Sequence, residues 1–272
     1  MGDREPVDRQ GALYVHGGHA LMVGCAVDNP PHSHYNASVL LASGAPFLFR
    51  HGDGAWQESS GLCVAPCVEQ QLRTRDAGVL IMQVDPDGRA FQHFGGRFVA
   101  SPVIELSAAE RAEILAGLPA GPWQGRAAAA FFCHAVTVLG RNAPHPGARD
   151  PRVVSVCRML AEQLEQPPSL AVLAEAVSLS VSRLQHLVKA ELGLPLGHYL
   201  LWLRVRDTVR RAQYGSSLTE AALAAGFADS AHFSRTFRRM FGLPPSSVLK
   251  QHNQVRVEIL SSASAGGCNE PG

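Results

Sequence analysis

Apolar residues fall in two rhythms along this chain, and the rhythm changes near residue 100. Before that point they form short runs: Ser38-Val39-Leu40-Leu41, Pro46-Phe47-Leu48-Phe49, Leu62-Cys63-Val64 and Gly78-Val79-Leu80-Ile81-Met82-Gln83-Val84. Turn clusters separate them, among them Ser43-Gly44, His51-Gly52-Asp53-Gly54, Ser59-Ser60-Gly61 and Asp85-Pro86-Asp87-Gly88. Runs of strand length with such punctuation predict many short β-strands over 12–100, closed into a small barrel or jelly roll. After it the spacing turns helical. Ser107-Ala108-Ala109-Glu110 is a capping box that opens an amphipathic helix within 101–118, and Gly121-Pro122 breaks it. An Ala-rich helix with Phe131, Phe132, Val136 and Leu139 follows over 125–140, and a face so apolar needs a partner surface, either its own barrel or a second copy.

Residues 141–151 are polar and rich in Pro and Gly, as a linker is. Asp150 to Leu164 then opens a helical region, and beyond Lys250 the pattern fades. The expectation is an α+β protein of two domains: a β domain at 1–100, a helical dimerisation or packing segment at 101–141, a linker at 142–150, an all-α domain at 151–250 and a disordered tail at 251–272.

The all-α domain repeats itself. Leu170, Ala174 and Leu179 correspond to Leu218, Ala222 and Phe227, each 48 residues on. Leu184, Val188 and Gly193-Leu194-Pro195 correspond to Phe233, Phe237 and Gly242-Leu243-Pro244, each 49 residues on, so the second copy has one extra residue near its turn. Each copy reads as a short helix, a tight turn and a second helix, a helix-turn-helix. In the second, Phe233, Phe237, Met240 and Phe241 share one face, and Ser230, Ser234, Arg235 and Arg238 fall largely elsewhere. Asp229 or Ser230 can cap that helix, and Gly242 with the prolines stops it. Between the copies, Leu196 to Tyr214 predicts a helix of roughly 27 Å at 1.5 Å per residue. Such a rod can hold two recognition helices about 34 Å apart, one turn of DNA.

From about 150 to 250 the chain resembles the DNA-binding domain of the AraC/XylS family of bacterial transcription regulators. The resemblance is carried by Gly226-Phe227, Asp229, Phe233-Ser234-Arg235, Phe237-Arg238, Phe241-Gly242 and Pro244. Two positions depart from the family pattern: Val248, Leu249 and Lys250 stand where an aromatic and an Arg are usual, and Ala221 where Ile is frequent. The resemblance implies base-facing positions at Ser182, Gln185 and His186 in the first copy, and Ser230, Ala231, His232 and Arg235 in the second. The chemistry suits that: Arg235 can contact guanine in two places, Gln185 adenine, and Ala231 a thymine methyl. Lys189, Arg204, Arg206 and Arg238 are assigned to phosphates. More weakly, Pro31-His32-Ser33-His34, Gly44 and Ala65-Pro66 resemble the cupin-like effector domain that often precedes this DNA-binding domain.

Charge agrees with that division. Residues 151–250 hold 12 Lys and Arg against 7 Asp and Glu, whereas 1–150 hold 11 against 14, so the basic excess lies with the repeat. Phosphate binding requires such an excess. Met1 to Gly11 has no apolar stretch of signal-peptide type, and Ala127 to Leu139 is too short to span a bilayer. Six scattered cysteines without framework spacing suit reduced thiols in a bacterial cytoplasm, with the protein on the nucleoid when bound to DNA.

His32 and His34, two apart on a strand, point the same way and could share a metal, with Glu69 a third ligand; the preferred reading makes them hydrogen-bonding groups at the mouth of a pocket. Cys63 and Cys67 could bind a soft metal or sense oxidation, or simply be buried as small apolar groups. Phe47, Phe49 and Trp56 are expected to line the barrel or its pocket, with Phe91 and Phe94. No catalytic residue, resident metal or cofactor is assigned. The expected partners are promoter DNA, a small-molecule effector, RNA polymerase and a second copy in a homodimer. Two alternatives stay open: a constitutive DNA-binding protein whose barrel only dimerises, and a cupin-type metalloprotein with an appended DNA-binding domain.

Overall fold

The computed structural model describes residues 11–16, 18–24, 28–74, 78–141, 143–144, 148–246 and 255–260. Two facing sheets form the first domain. One runs in the order β10 (Val103–Glu105), β7 (Gly61–Val64), β4 (Ala37–Ala42), β9 (Val79–Val84), β2 (His19–Val23), β1 (Gly11–His16), β11 (Val255–Leu260). The other runs β3 (His32–Ser33), β8 (Glu69–Arg73), β5 (Phe47–His51), β6 (Gln57–Ser59).

The apolar runs of β4 and β9 are continuous because both of their faces are covered. Val39, Leu41, Leu80, Met82 and Val84 face the helices α1 (Arg89–Phe94), α2 (Ala108–Ala116) and α3 (Gly125–Gly140). The alternate residues Leu40, Ala42, Val79 and Ile81 face Phe47, Phe49 and Leu72 of the opposite sheet. Phe131, Phe132, Val136 and Leu139 of α3 are buried within the chain, so its partner surface is its own sheet. Each such side chain contributes roughly 1.5–3 kcal/mol by leaving water. The capping box is formed, Glu110 N donating to Ser107 and Ser107 N to Glu110.

The second domain is all helix: α4 (Pro151–Glu162), α5 (Leu170–Ala176), α6 (Val181–Leu192), α7 (Leu196–Gln213), α8 (Leu218–Ala224) and α9 (Ser230–Phe241). Its core joins Val153, Leu160, Leu184, Leu203, Phe233 and Met240, and it also takes in Tyr35 from the first domain.

Three expectations change. The β domain does not stop at 100, because β10 pairs with β7 beyond it, and 89–94 is a helix rather than a strand. Residues 255–260 are not disordered: they form β11, which returns to the first domain and pairs parallel with β1. The rest of the expected tail, 251–254 and 261–272, lies outside the described residues, as do Cys25, Val248, Leu249, Lys250 and part of the linker. Cys63, Cys67 and Cys157 are free thiols, whereas Cys133 is in a disulfide, against the expectation that all are reduced. Among the described residues, no helix is long and apolar enough to cross a membrane.

Candidate nucleic-acid interface and the cavity behind it

The two helix-turn-helix units, α5–α6 and α8–α9, are built from the same local signals. Ser180 caps α6 by accepting from Arg183 N at 3.3 Å, and Asp229 caps α9 by accepting from His232 N at 2.5 Å. Gly193 and Gly242 end the two helices at φ 76° and 72°, the left-handed region that glycine enters without strain. In the turns, Leu179 N donates to Ala174 O at 2.9 Å and Phe227 N to Ala222 O at 3.0 Å. The bend residue is Ser178 (φ 55°) in the first unit and Gly226 (φ 89°) in the second. The extra residue of the second copy is Ala228, between Phe227 and the cap Asp229.

With Leu184, Val188 and Leu192 buried beneath α6, and Phe233, Phe237 and Met240 beneath α9, the opposite faces are set. Ser182, Gln185, His186 and Lys189 are exposed on α6, and Ser230, Ala231, Arg235 and Arg238 on α9. His232 is half-buried, its ring edge-on to Phe227 at 5.2 Å. Both helices rest their C-terminal glycines on the β domain. A Cβ on Gly193 would lie 3.3 Å from Pro66, and one on Gly242 would lie 3.2 Å from Asn29 and His32. The open faces therefore belong to two helices anchored at the same end.

Two expected phosphate ligands have other partners. Arg204 donates from Nε and Nη2 to Leu164 O at 3.1 and 2.9 Å, tying α7 to the end of α4. Arg206 is paired with Asp85 of the β domain, whose carboxylate is only 4% exposed, and lies 3.9 Å from Asp87. Its guanidinium thus faces the first domain. Both substitutions of role have one cause: every third or fourth residue of α7 faces a packed neighbour, so an arginine there meets protein before it meets DNA.

The turn at 85–87 grips α7. Asp85 accepts from Trp202 Nε1 at 3.0 Å as well as from Arg206, and Asp87 accepts from the Tyr199 hydroxyl. Burial, then the neighbouring Asp85 charge, raises the Asp87 pKa to about 7. His19 Nδ1 accepts from Asp85 N at 3.0 Å, and burial lowers the His19 pKa to about 4. A second grip is Tyr35, whose ring stacks on His198 of α7 at 4.5 Å and whose hydroxyl accepts from Arg239 of α9.

Between these grips lies a cavity of about 800 Å³. Its walls come from both domains: Leu13, Leu40 and Ile81 from the β domain, and Trp202, Phe237 and Phe241 from α7 and α9. Side chains on the inward face of β4 and β9 grade from apolar to polar along the strands, from Leu40 beside Ile81 to Ser38 beside Gln83 and on to Asn36 and Asp85. His32 and His34 line it. The other expected pocket residues do not. Phe47 and Phe49 are buried in the intersheet core, and Trp56 lies on the outside beneath the guanidinium groups of Arg50 and Arg73, at 5.0 and 4.3 Å. Glu69 is exposed, and its neighbour Gln70 occupies the inward position. Among the described residues, no group of three His, Cys, Asp or Glu is placed to hold a metal. Cys63 is buried under the helices, where burial pushes its pKa up to about 12. Cys67 contacts His198 Nδ1 at 3.4 Å, so the two thiols serve different neighbours.

Residues 173–251 match a family described as a helix-turn-helix domain. Over these residues the chain carries a helix-turn-helix domain. Curated proteins similar to this region include the HTH-type transcriptional regulator GbdR of Pseudomonas aeruginosa, 32% identical over 100 residues, covering 36% of this chain and 27% of that protein. The HTH-type transcriptional activator RhaS of Salmonella schwarzengrund is 32% identical over 130 residues, 46% of each chain. The match thus spans less than half the length of either relative. Over most of the chain the fold is similar to that of ToxT from Vibrio cholerae. An apo ToxT variant matches with a TM-score of 0.58 at 8% identity, over 85% of this chain and 96% of that one. An unsaturated fatty acid-bound ToxT matches with a TM-score of 0.54 at 8% identity, over 80% and 88%.

Proposed function

We propose that this chain is a sequence-specific, DNA-binding transcription regulator whose hold on promoter DNA is set by a small molecule in the interdomain cavity. The observation that carries the first half is the pair of recognition helices, both anchored at their C-terminal ends and both open on a polar or cationic face. Gln185 and Arg235 supply base-reading groups, and Lys189 and Arg238, at matched places 49 residues apart, supply phosphate contacts about one turn further along. The likeness to transcriptional regulators over this domain agrees. RNA polymerase and a second copy of the chain belong to the same proposal.

Effector control is favoured over a barrel that serves only as a scaffold, because the cavity is walled by α7 and α9. A ligand there touches the β domain and the second recognition unit together. It shifts the balance of domain arrangements by its difference in affinity for them, and by no more. ToxT, of similar fold, has been solved with an unsaturated fatty acid bound.

Binding-site selection followed by affinity measurement tests the DNA reading. Arg235→Ala is expected to relax preference at one base pair, at a cost of about 1–3 kcal/mol. Arg238→Ala is expected to weaken all sequences alike and to lower the salt slope by about one. Unchanged preference in the first variant together with an unchanged slope in the second rejects the interface.

A further inference from the structure

The polar end of the cavity carries a specific set of unsatisfied groups. His34 Nδ1, both side-chain atoms of Asn36 and Gln70 Oε1 have no hydrogen-bond partner, although these residues are 8%, 1% and 3% exposed. A buried polar atom left unpaired costs roughly 1–3 kcal/mol, so four together call for an occupant that pairs with them.

The hydrogen-bond chain defines what each offers. His32 Nδ1 lies 2.9 Å from Pro30 O, so that nitrogen carries the proton and Nε2 is bare. His34 Nε2 lies 3.1 Å from the bare His32 Nε2 and 3.4 Å from the Gln83 side-chain amide; donation to the nearer His32 leaves His34 Nδ1 as a bare lone pair. Burial lowers the pKa of both rings and keeps them neutral. Three acceptors therefore converge with one donor: His34 Nδ1, Asn36 Oδ1 and Gln70 Oε1 with Asn36 Nδ2. None is charged. The charges that border the cavity are already paired, Arg206 with Asp85 and Arg210 with Asp207.

We propose that the cavity binds an uncharged amphiphile, a molecule with a hydroxyl-rich head received by His34, Asn36 and Gln70 and an apolar body lying against Leu40, Phe237 and Phe241. This rests on the effector reading above and narrows it to a ligand class. A carboxylate head would bring acceptors where acceptors already stand and, among the described residues, would find no unpaired cation at that end. A small polyol would satisfy the head and leave the apolar walls wet.

Full-length protein titrated with three matched probes tests this: 1-decanoylglycerol, decanoate and glycerol, each below any micellar concentration, read by calorimetry and by melting temperature. The monoacylglycerol is expected to bind at least tenfold more tightly than either of the others. Gln70→Leu is expected to weaken it at least tenfold, and Asn36→Ser, which keeps a small polar group, by a smaller factor; the unliganded melts show that each variant is folded. Decanoate binding as tightly as the monoacylglycerol overturns the ligand class, as does unaltered affinity in both variants or binding of none of the probes. DNA affinity measured in the same samples separates the two readings. Loss of the regulator reading appears as no sequence preference at all, whatever the probes do, whereas a wrong ligand class leaves DNA binding intact.

Discussion

The two helix-turn-helix units share a backbone and differ in what lies behind them. Beneath α6, Leu184, Val188 and Leu192 belong to the helical domain's core and do not line the cavity. Beneath α9, Phe237 and Phe241 also form a wall of the cavity, His34 meets Phe241 edge-on at 5.7 Å, and Arg239 donates to Tyr35. Their outward faces differ as well: Gln185 and His186 on one, Arg235 and Arg238 on the other. The repeat thus keeps the same outward helix geometry in both units and, among the described residues, gives the second alone a place in the cavity wall. An occupant of that cavity has one unit to move and one to leave as it is.

The largest test of that contrast is Gly226→Ala. A Cβ there would stand 2.4 Å from Leu164 O and 2.8 Å from Arg204 Nε, at a φ of 89° that a side chain resists. We expect a loss of about 3 kcal/mol or more in denaturant unfolding, with the Arg204–Leu164 tie lost. A variant of wild-type stability would mean that the second turn is not held as described. Next comes Asp85→Ala, which leaves Trp202 Nε1 and a largely enclosed Arg206 without their acceptor. Its expected cost is about 2–4 kcal/mol, seen as looser docking of the domains and faster proteolysis of the linker, with DNA-reading residues untouched.

Acid should act on the same seam. Burial lowers the pKa values of His19, His32 and His34, so their folded forms resist protonation and stability falls as pH drops through the ordinary histidine range toward about 4. Asp87 has the opposite sign: its raised folded pKa favours the folded state at low pH and loses that contribution as pH rises toward about 7. The three histidines outweigh it, so the melting temperature should decline on acidification from pH 7 to 5. Asp87→Asn should steepen the decline; a shallower slope would reverse the assignment. The smallest effect is Ser178→Gly. Ser178 occupies the left-handed bend that glycine occupies in the other unit, so relief of strain of about 1 kcal/mol is partly offset by the added freedom of glycine in the unfolded chain. A gain of a few tenths of a kcal/mol is expected in thermal unfolding, and a clear loss would show that the two bends are not equivalent.

Local signals made the helical domain legible. Caps, the glycine stops and the spacing of 48 and 49 residues placed α6, α7 and α9 within a residue or two, because each is decided by neighbours within one turn. Strand faces were harder. Glu69 and Gln70 differ by one position on β8, and a shift of one residue exchanges inside for outside. The turn at 85–88 was visible as a turn, but its acceptors Asp85 and Asp87 meet Trp202 and Tyr199 across 117 and 112 residues, and no periodicity announces such a partner. Trp56 looked like a pocket aromatic, yet Arg50 and Arg73 draw it outward. Arg206 looked like a cation for DNA until Asp85 supplied a nearer anion.

Strand β11 pairs with β1 after the chain has already traversed α4 to α9. The helical half is consequently suspended from the β half at two points, like a door on paired hinges rather than a flag on a single cord. A swing that re-aims α6 and α9 must pivot about the line joining those attachments, or else peel β11 from its neighbour first.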